Sequence, residues 1–125
     1  MIVLDTSFLI RALARGSAQD ARLREWLRSG EELGMSAIAW AELLCGPITP
    51  DQVALAARVV PRRVAFGEED AASAARLFND SGRRRGSLTD CMIAATALRL
   101  DAPLATENPA DFRRFEPAGL RLLAP

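Results

Sequence analysis

Three acidic residues stand in stretches that otherwise avoid charge. The chain opens MIVLDTSFLI, which puts Asp5 between two apolar runs. In MSAIAWAELLC the one charged residue is Glu42, and in SLTDCMIAATAL it is Asp90. Taking an unpaired carboxylate out of water costs roughly several kcal/mol, so each acid needs a partner. Each has an ordinary explanation when taken singly. Asp5 suits the N-cap of the next helix, Asp90 suits a capping box begun by Ser87, and Glu42 suits pairing with an Arg. Together they suit something else, because one divalent cation satisfies three acids from three separate elements. A late segment adds oxygens in the Thr106 hydroxyl, the Asn108 amide and the Asp111 carboxylate. Such a hard-oxygen set matches magnesium or manganese.

The missing residue types narrow the chemistry further. There is no His, which excludes Ser-His-Asp and Cys-His catalysis and imidazole ligation. All 16 basic residues are Arg, so there is no Schiff-base lysine and no P-loop lysine. Tyr and a G-x-G-x-x-G stretch are absent as well. The 16 basic residues balance 16 acidic ones. Zero net charge argues against a general polyanion binder and leaves room for a local basic patch. Cys45 and Cys91 lie in apolar runs, which suits a reduced interior. No leader-like start and no membrane-length apolar run is present, so the expectation is a cytoplasmic protein with no membrane partner.

The elements that must position these groups follow from patterning. At 125 residues, half of them hydrophobic, one domain spanning 1–125 is expected. Residues 1–5 read as a buried strand, 6–15 as a helix closed by Gly16, and 18–29 as a helix with Leu23, Trp26 and Leu27 inward. A strand at 33–36 leads to helices at 37–45 and 50–60. The latter opens at Pro50 or Asp51 and closes before Pro61. A strand at 63–66 precedes helices at 68–81 and 87–100. A strand at 103–106, a short helix at 109–115 and a strand at 120–123 complete the chain. Strands alternating with helices predict an α/β sandwich around a mostly parallel sheet. Ligands of such sheets bind beyond the carboxyl ends of the strands, where Asp5 and 106–108 fall. Glu42 and Asp90, on largely apolar helices, are expected to be partly buried.

At this point the sequence resembles a known family, the PIN-domain ribonucleases, and within it the VapC-like toxins of bacterial toxin–antitoxin pairs. MIVLDTS is similar to the family's opening strand and first acid. SAIAWAELLCG, LTDCMIAATAL and LATENPADF are similar to its second, third and fourth motifs, in order and over nearly the whole chain. Two departures lie in the fourth motif. Asn108 stands where many relatives have an acid, and Glu107 where Arg is common. Asp111 is then the acid that remains there.

The resemblance implies a three-layer PIN-like sandwich, with a mostly parallel central sheet flanked by helices. It also implies metal-dependent hydrolysis of RNA phosphodiesters. Asp5, Glu42, Asp90 and Asp111 are the expected catalytic and metal-holding residues, with Mg2+ or Mn2+ as cofactor. Thr6, Ser7, Thr106 and Asn108 are candidates to orient carboxylates or phosphate, though the first two serve equally well as helix caps. Arg84 and Arg85, with Arg83 before them, are candidates to grip the RNA; a solvated, dipole-compensating run is the plainer account. Arg11, Arg15, Arg113 and Arg114 fall near the same rim. A cognate antitoxin and a homodimer are the expected partners besides RNA. The reading from a different class is a catalytically silent fold that binds RNA or protein, which a manganese titration separates from an enzyme.

Overall fold

In the computed structural model, which describes residues 1–123, five short strands make one sheet. They are β1 (Ile2–Leu4), β2 (Leu33–Ser36), β3 (Arg62–Val64), β4 (Leu104–Ala105) and β5 (Leu122–Leu123). Their order is β3-β2-β1-β4-β5. All four pairings are parallel, so the sheet is more uniformly parallel than patterning alone required. Every residue of β1 and β2 is buried, as strands covered on both faces must be. Seven helices flank the sheet: α1 (Thr6–Ala12), α2 (Ala18–Arg28), α3 (Ala37–Cys45), α4 (Pro50–Val59), α5 (Glu68–Asp80), α6 (Leu88–Arg99) and α7 (Pro109–Phe112). A 3-10 helix, Arg113–Ala118, follows α7 directly.

Local chemistry sets the boundaries. Ser36 caps α3 by accepting the Ile38 N–H at 3.1 Å. Thr49 and Gln52 form a reciprocal capping box around Pro50 at the start of α4. Helix α1 stops at Ala12 rather than reaching Arg15, with the chain turning through Gly16 at φ +84°. β3 begins one residue earlier than expected, because Arg62 pairs with Gly34 of β2. A Cβ at Gly34 would meet the Arg62 carbonyl at 3.3 Å, a tight contact that the glycine avoids where these strands approach. The expected helix at 109–115 divides into α7 and the 3-10 segment. The last two positions of the expected domain, 124 and 125, lie outside the described residues.

Helix α6 runs through the interior, with Cys91, Ile93, Ala94, Ala95, Thr96 and Ala97 buried. It packs on α5 and α3, while α1 packs on α2. An ion pair between a buried acid and an exposed arginine fastens α6 to α5. Arg99 donates to both oxygens of Asp70, at 2.7 and 3.1 Å, and Asp70 is only 2% exposed. Three expected placements fail. Leu27 and Cys45 are exposed, each at the solvent side of the last turn of its helix. Glu42 is exposed as well. The buried residues of α3 are Ala39 and Leu43, four apart on one face, and Glu42 falls beside that face.

Candidate active site

The topology selects one crevice. From β1 the chain moves outward to β2 and β3, then crosses back to place β4 on the other side of β1. Adjacent β1 and β4 therefore leave the sheet in opposite directions at their carboxyl ends, which is where open α/β sheets bind ligands. Asp5 follows β1 and Thr106 follows β4, and the Asp5 N–H bonds the Ala105 carbonyl at 2.9 Å.

Asp5 is buried, and its carboxylate is held by hydroxyls. Ser7 Oγ and Thr106 Oγ1 each donate to Asp5 Oδ2 at 2.8 Å. The two hydroxyls are themselves fixed from behind. Ser7 Oγ accepts the Glu107 N–H at 3.1 Å, and Thr106 Oγ1 accepts the Asn108 N–H at 3.1 Å. Both hydroxyl protons thus go to one oxygen, and neither reaches Oδ1. Asp5 occupies the N-cap position of α1, yet its side chain makes no capping bond. Thr6 turns the other way. Its hydroxyl donates to the Ala39 carbonyl at 2.8 Å and lies 3.3 Å from Glu42 Oε1, which ties α1 to α3.

The other acids stand around Asp5. Asp90, in the first turn of α6, is half-buried, and its pKa is pushed up to about 6. Burial is the largest cause, followed by the negative charges of Asp5 and Asp111; Arg114 opposes them, and Glu42 adds a smaller push upward. Glu42 is also raised, by desolvation first and by Asp5 second, against the Thr6 hydroxyl. Asp90 is not in a capping box, since the Ser87 hydroxyl donates to the Arg84 carbonyl at 2.7 Å instead. That bond fastens the Arg83–Arg85 loop to the start of α6. Arg84, Arg85, Asp90, Asp111 and Arg114 line one polar cleft.

Asp90 therefore feels the charges of the other three acids, but the four sets of oxygens do not meet at a point. Among the described residues no three acidic side chains are gathered closely enough to enclose an ion. Asp90 Oδ2 lies 3.8 Å from Arg114 Nη2, and Glu42 extends to solvent. The donor set still fits a hard divalent cation. It is all oxygen, it is mutually repelling, and its central member is immobilised in an ionic hydrogen-bond pattern. Of the weaker candidates, Ser7 and Thr106 join the Asp5 network directly, and Arg84 and Arg85 reach the cleft. The Asn108 side chain is exposed, and only its backbone takes part. Arg83 turns away to Asn79 and the Phe78 ring. Glu107 turns to Gln19 at the start of α2, away from the acids.

Arg114 is expected near the rim only together with Arg11, Arg15 and Arg113, and the structure places it in the cleft. In the sequence it is one of two adjacent arginines, and nothing distinguishes it from Arg113. In the structure Arg113 is exposed and Arg114 faces Asp90. The available signal was its position next to Phe115, a residue whose burial fixes which way its neighbours point.

Several solved structures share this fold. The VapBC2 complex from Rickettsia felis, bound to a promoter DNA fragment, superposes with a TM-score of 0.77 at 20% identity, covering 99% of this chain and 98% of that one. FitAcB from Neisseria gonorrhoeae gives a TM-score of 0.71 at 24% identity, covering 98% and 96%. Mycobacterium tuberculosis VapC20, a toxin that cleaves the sarcin–ricin loop, gives 0.67 at 18%, covering 96% of each. No curated protein matches the sequence. The PIN domain family profile matches residues 2–116. With that match spanning nearly all of the sheet and every acid described above, the chain belongs to the PIN domain family.

Proposed function

We propose that this chain is a divalent-metal-dependent endoribonuclease and the toxin of a toxin–antitoxin pair, acting in the cytoplasm. One observation carries the nuclease part. A buried carboxylate, Asp5, is pinned by Ser7 and Thr106 at the β1/β4 crevice, and its charge, with those of Asp111 and Glu42, pushes Asp90 upward.

In this reading Asp5, Glu42, Asp90 and Asp111 hold Mg2+ or Mn2+, which supplies a water of lowered pKa and neutralises charge on the phosphate. The protein's own work is orientation. Ser7 and Thr106 keep Asp5 in one rotamer. Asp90 and Glu42 have the exposure to turn toward it. The same couplings that raise Asp90 and Glu42 are relieved when positive charge enters among them. Arg84 and Arg85 face the incoming polyanion from the loop before α6.

The toxin part rests on the solved complexes of similar fold. Those from Rickettsia felis and Neisseria gonorrhoeae are VapBC2, bound to promoter DNA, and FitAcB. We infer a cognate antitoxin for this chain, with an Arg-bearing segment as its means of silencing the acids, because guanidinium pairs carboxylates bidentately. A homodimer fits the exposed Leu44 and the half-buried Trp40 on α3.

The test is cleavage of a single-stranded RNA by purified protein. Cutting should require Mg2+ or Mn2+ and stop in EDTA. Undiminished cutting in EDTA would overturn the mechanism. Co-expression with a small reading frame directly upstream should yield a stable, inactive complex. Recovery of the protein alone and active would remove the antitoxin and leave the nuclease.

A further inference from the structure

Arg114 is held in a way that its known contacts do not use. Phe112 and Phe115, the residues on either side of the Arg113–Arg114 pair, are both fully buried and meet edge to face at 6.1 Å. Arg114 therefore has little choice of direction. Its guanidinium carbon lies 4.8 Å from the centre of the Phe115 ring, and its side chain is only 17% exposed. A guanidinium this far out of water should have its N–H groups engaged. They are not well engaged here. Arg114 Nε is sealed from solvent and has no hydrogen-bond partner. The nearest acid, Asp90 Oδ2, stays 3.8 Å from Nη2, beyond hydrogen-bonding range.

With Nε sealed, the Nη edge is the part of the guanidinium that can meet a ligand, and an Nη edge whose nearest acid is out of hydrogen-bonding range suits a group with an anionic oxygen. The cleft beside it states the sign of that group. Arg84 and Arg85 line the same opening and are exposed at its lip. Three guanidinium groups beside two carboxylates favour an anion that reaches both, and a phosphodiester next to the acids does so. The Ser7 and Thr106 hydroxyls are already committed to Asp5, and the Asn108 N–H to Thr106 Oγ1, so among the described residues these donors are not free for a phosphate.

We propose that Arg114 is a substrate-positioning residue, which binds an RNA phosphate oxygen beside Asp90 and exchanges its loose contact with Asp90 for that phosphate. The inference rests on the reading of the crevice as an RNA-cleaving site. It adds a role for a residue of the 3-10 segment, outside the four acids and the arginine loop.

The experiment measures binding rather than turnover. Affinity for a fluorescent single-stranded RNA oligonucleotide is followed by anisotropy in EDTA over a range of salt, for wild type, Arg114→Met, Arg114→Lys and Arg113→Met. Arg114→Met should bind about 10-fold more weakly, and its salt dependence should fall by about 0.7 in log–log slope, one phosphate contact of a single strand. Its melting temperature should not drop, since Met keeps the stem against Phe115 and removes an unsatisfied cation. Arg114→Lys should recover the slope but not the full affinity, and Arg113→Met should match wild type. If Arg114→Met binds RNA with wild-type affinity and slope, or if Arg113→Met weakens binding equally, Arg114 has no positioning role. If it loses affinity only in proportion to a lowered melting temperature, with Arg114→Lys equally unstable, the residue is structural and the proposal fails. Wild type that neither binds this RNA nor cuts it with Mn2+ overturns the nuclease reading itself. Wild type that does both, with Arg114→Met indistinguishable from it, overturns the Arg114 assignment alone.

Discussion

Thr106 Oγ1 donates to Asp5 Oδ2 at 2.8 Å across 101 positions of sequence. The bond joins the carboxyl ends of β1 and β4, the two strands that flank the crevice. It is completely buried at Thr106 and nearly so at Asp5. The expected consequence is measurable. Thr106→Val keeps the shape and removes the proton, and should cost about 1.5–3 kcal/mol, the range for a hydrogen bond to a charged group. Ser7→Ala should cost less, because Ser7 is nearer solvent. Both donors serve the same oxygen, so the double variant should depart from the sum of the two. Denaturant melts of the three variants measure this, and a Thr106→Val stability within 0.5 kcal/mol (about the noise of surface changes) would contradict it.

The raised pKa of Asp90 fixes a pH dependence. In the folded protein Asp90 titrates at about 6, against 3.8 ordinarily, so the folded state holds the extra proton between these values. Stability without metal should therefore fall as pH rises from about 4 to about 6, and level off above. Glu42, raised in the same direction, adds to the slope. Partial exposure of Asp90 reduces the effect to on the order of 1–2 kcal/mol. Asp90→Asn should remove most of the dependence and raise the melting temperature at pH 7 in EDTA. A melt that is flat over this window, or a destabilised Asp90→Asn, would count against mutual repulsion among the acids.

Asp70 runs the opposite way. Burial pushes its carboxyl up, but hydrogen bonds from Arg99 and the Gly67 N–H, together with the Arg99 charge, carry it below 3.8. Its contribution is present above that ordinary value and lost as pH falls through the lower folded one. Arg99→Met leaves Asp70 buried without its cation and should cost roughly 3 kcal/mol at pH 7, while Asp70→Asn with Arg99→Met together should recover part of the loss. A urea titration at pH 7 and pH 3 checks both. Equal losses for the single and the double variant would mean that the stranded charge is not the cause.

The sequence carried the acids of the crevice because isolation in apolar context is visible in a single chain. Asp5 and Asp90 each stand alone in apolar stretches, and the structure brings both to the β1/β4 crevice. The parallel sheet was legible for a similar reason: IVL and LGMS become fully buried strands. What stayed hidden depended on direction rather than type. Glu42 lies on an apolar helix but beside its buried face. Ser7 read equally well as a helix cap or as a donor to a carboxylate, and Thr106 as one of several late oxygens; only the folded chain shows both aimed at one oxygen. Asp70 looked like one more acid in the first turn of α5, since its partner Arg99 is 29 positions away. Arg114 differs from Arg113 only through the burial of the phenylalanines around them.

The account stands on the acids forming one divalent-cation centre. Calorimetric titration of Mn2+ into the protein at pH 7 tests this without RNA. Wild type should bind Mn2+ saturably, and Asp5→Asn and Asp90→Asn should each lower the affinity at least about 10-fold while both variants still melt cooperatively as folded proteins. Heats that are the same for wild type and both variants, or no saturable binding by folded wild type, would contradict it.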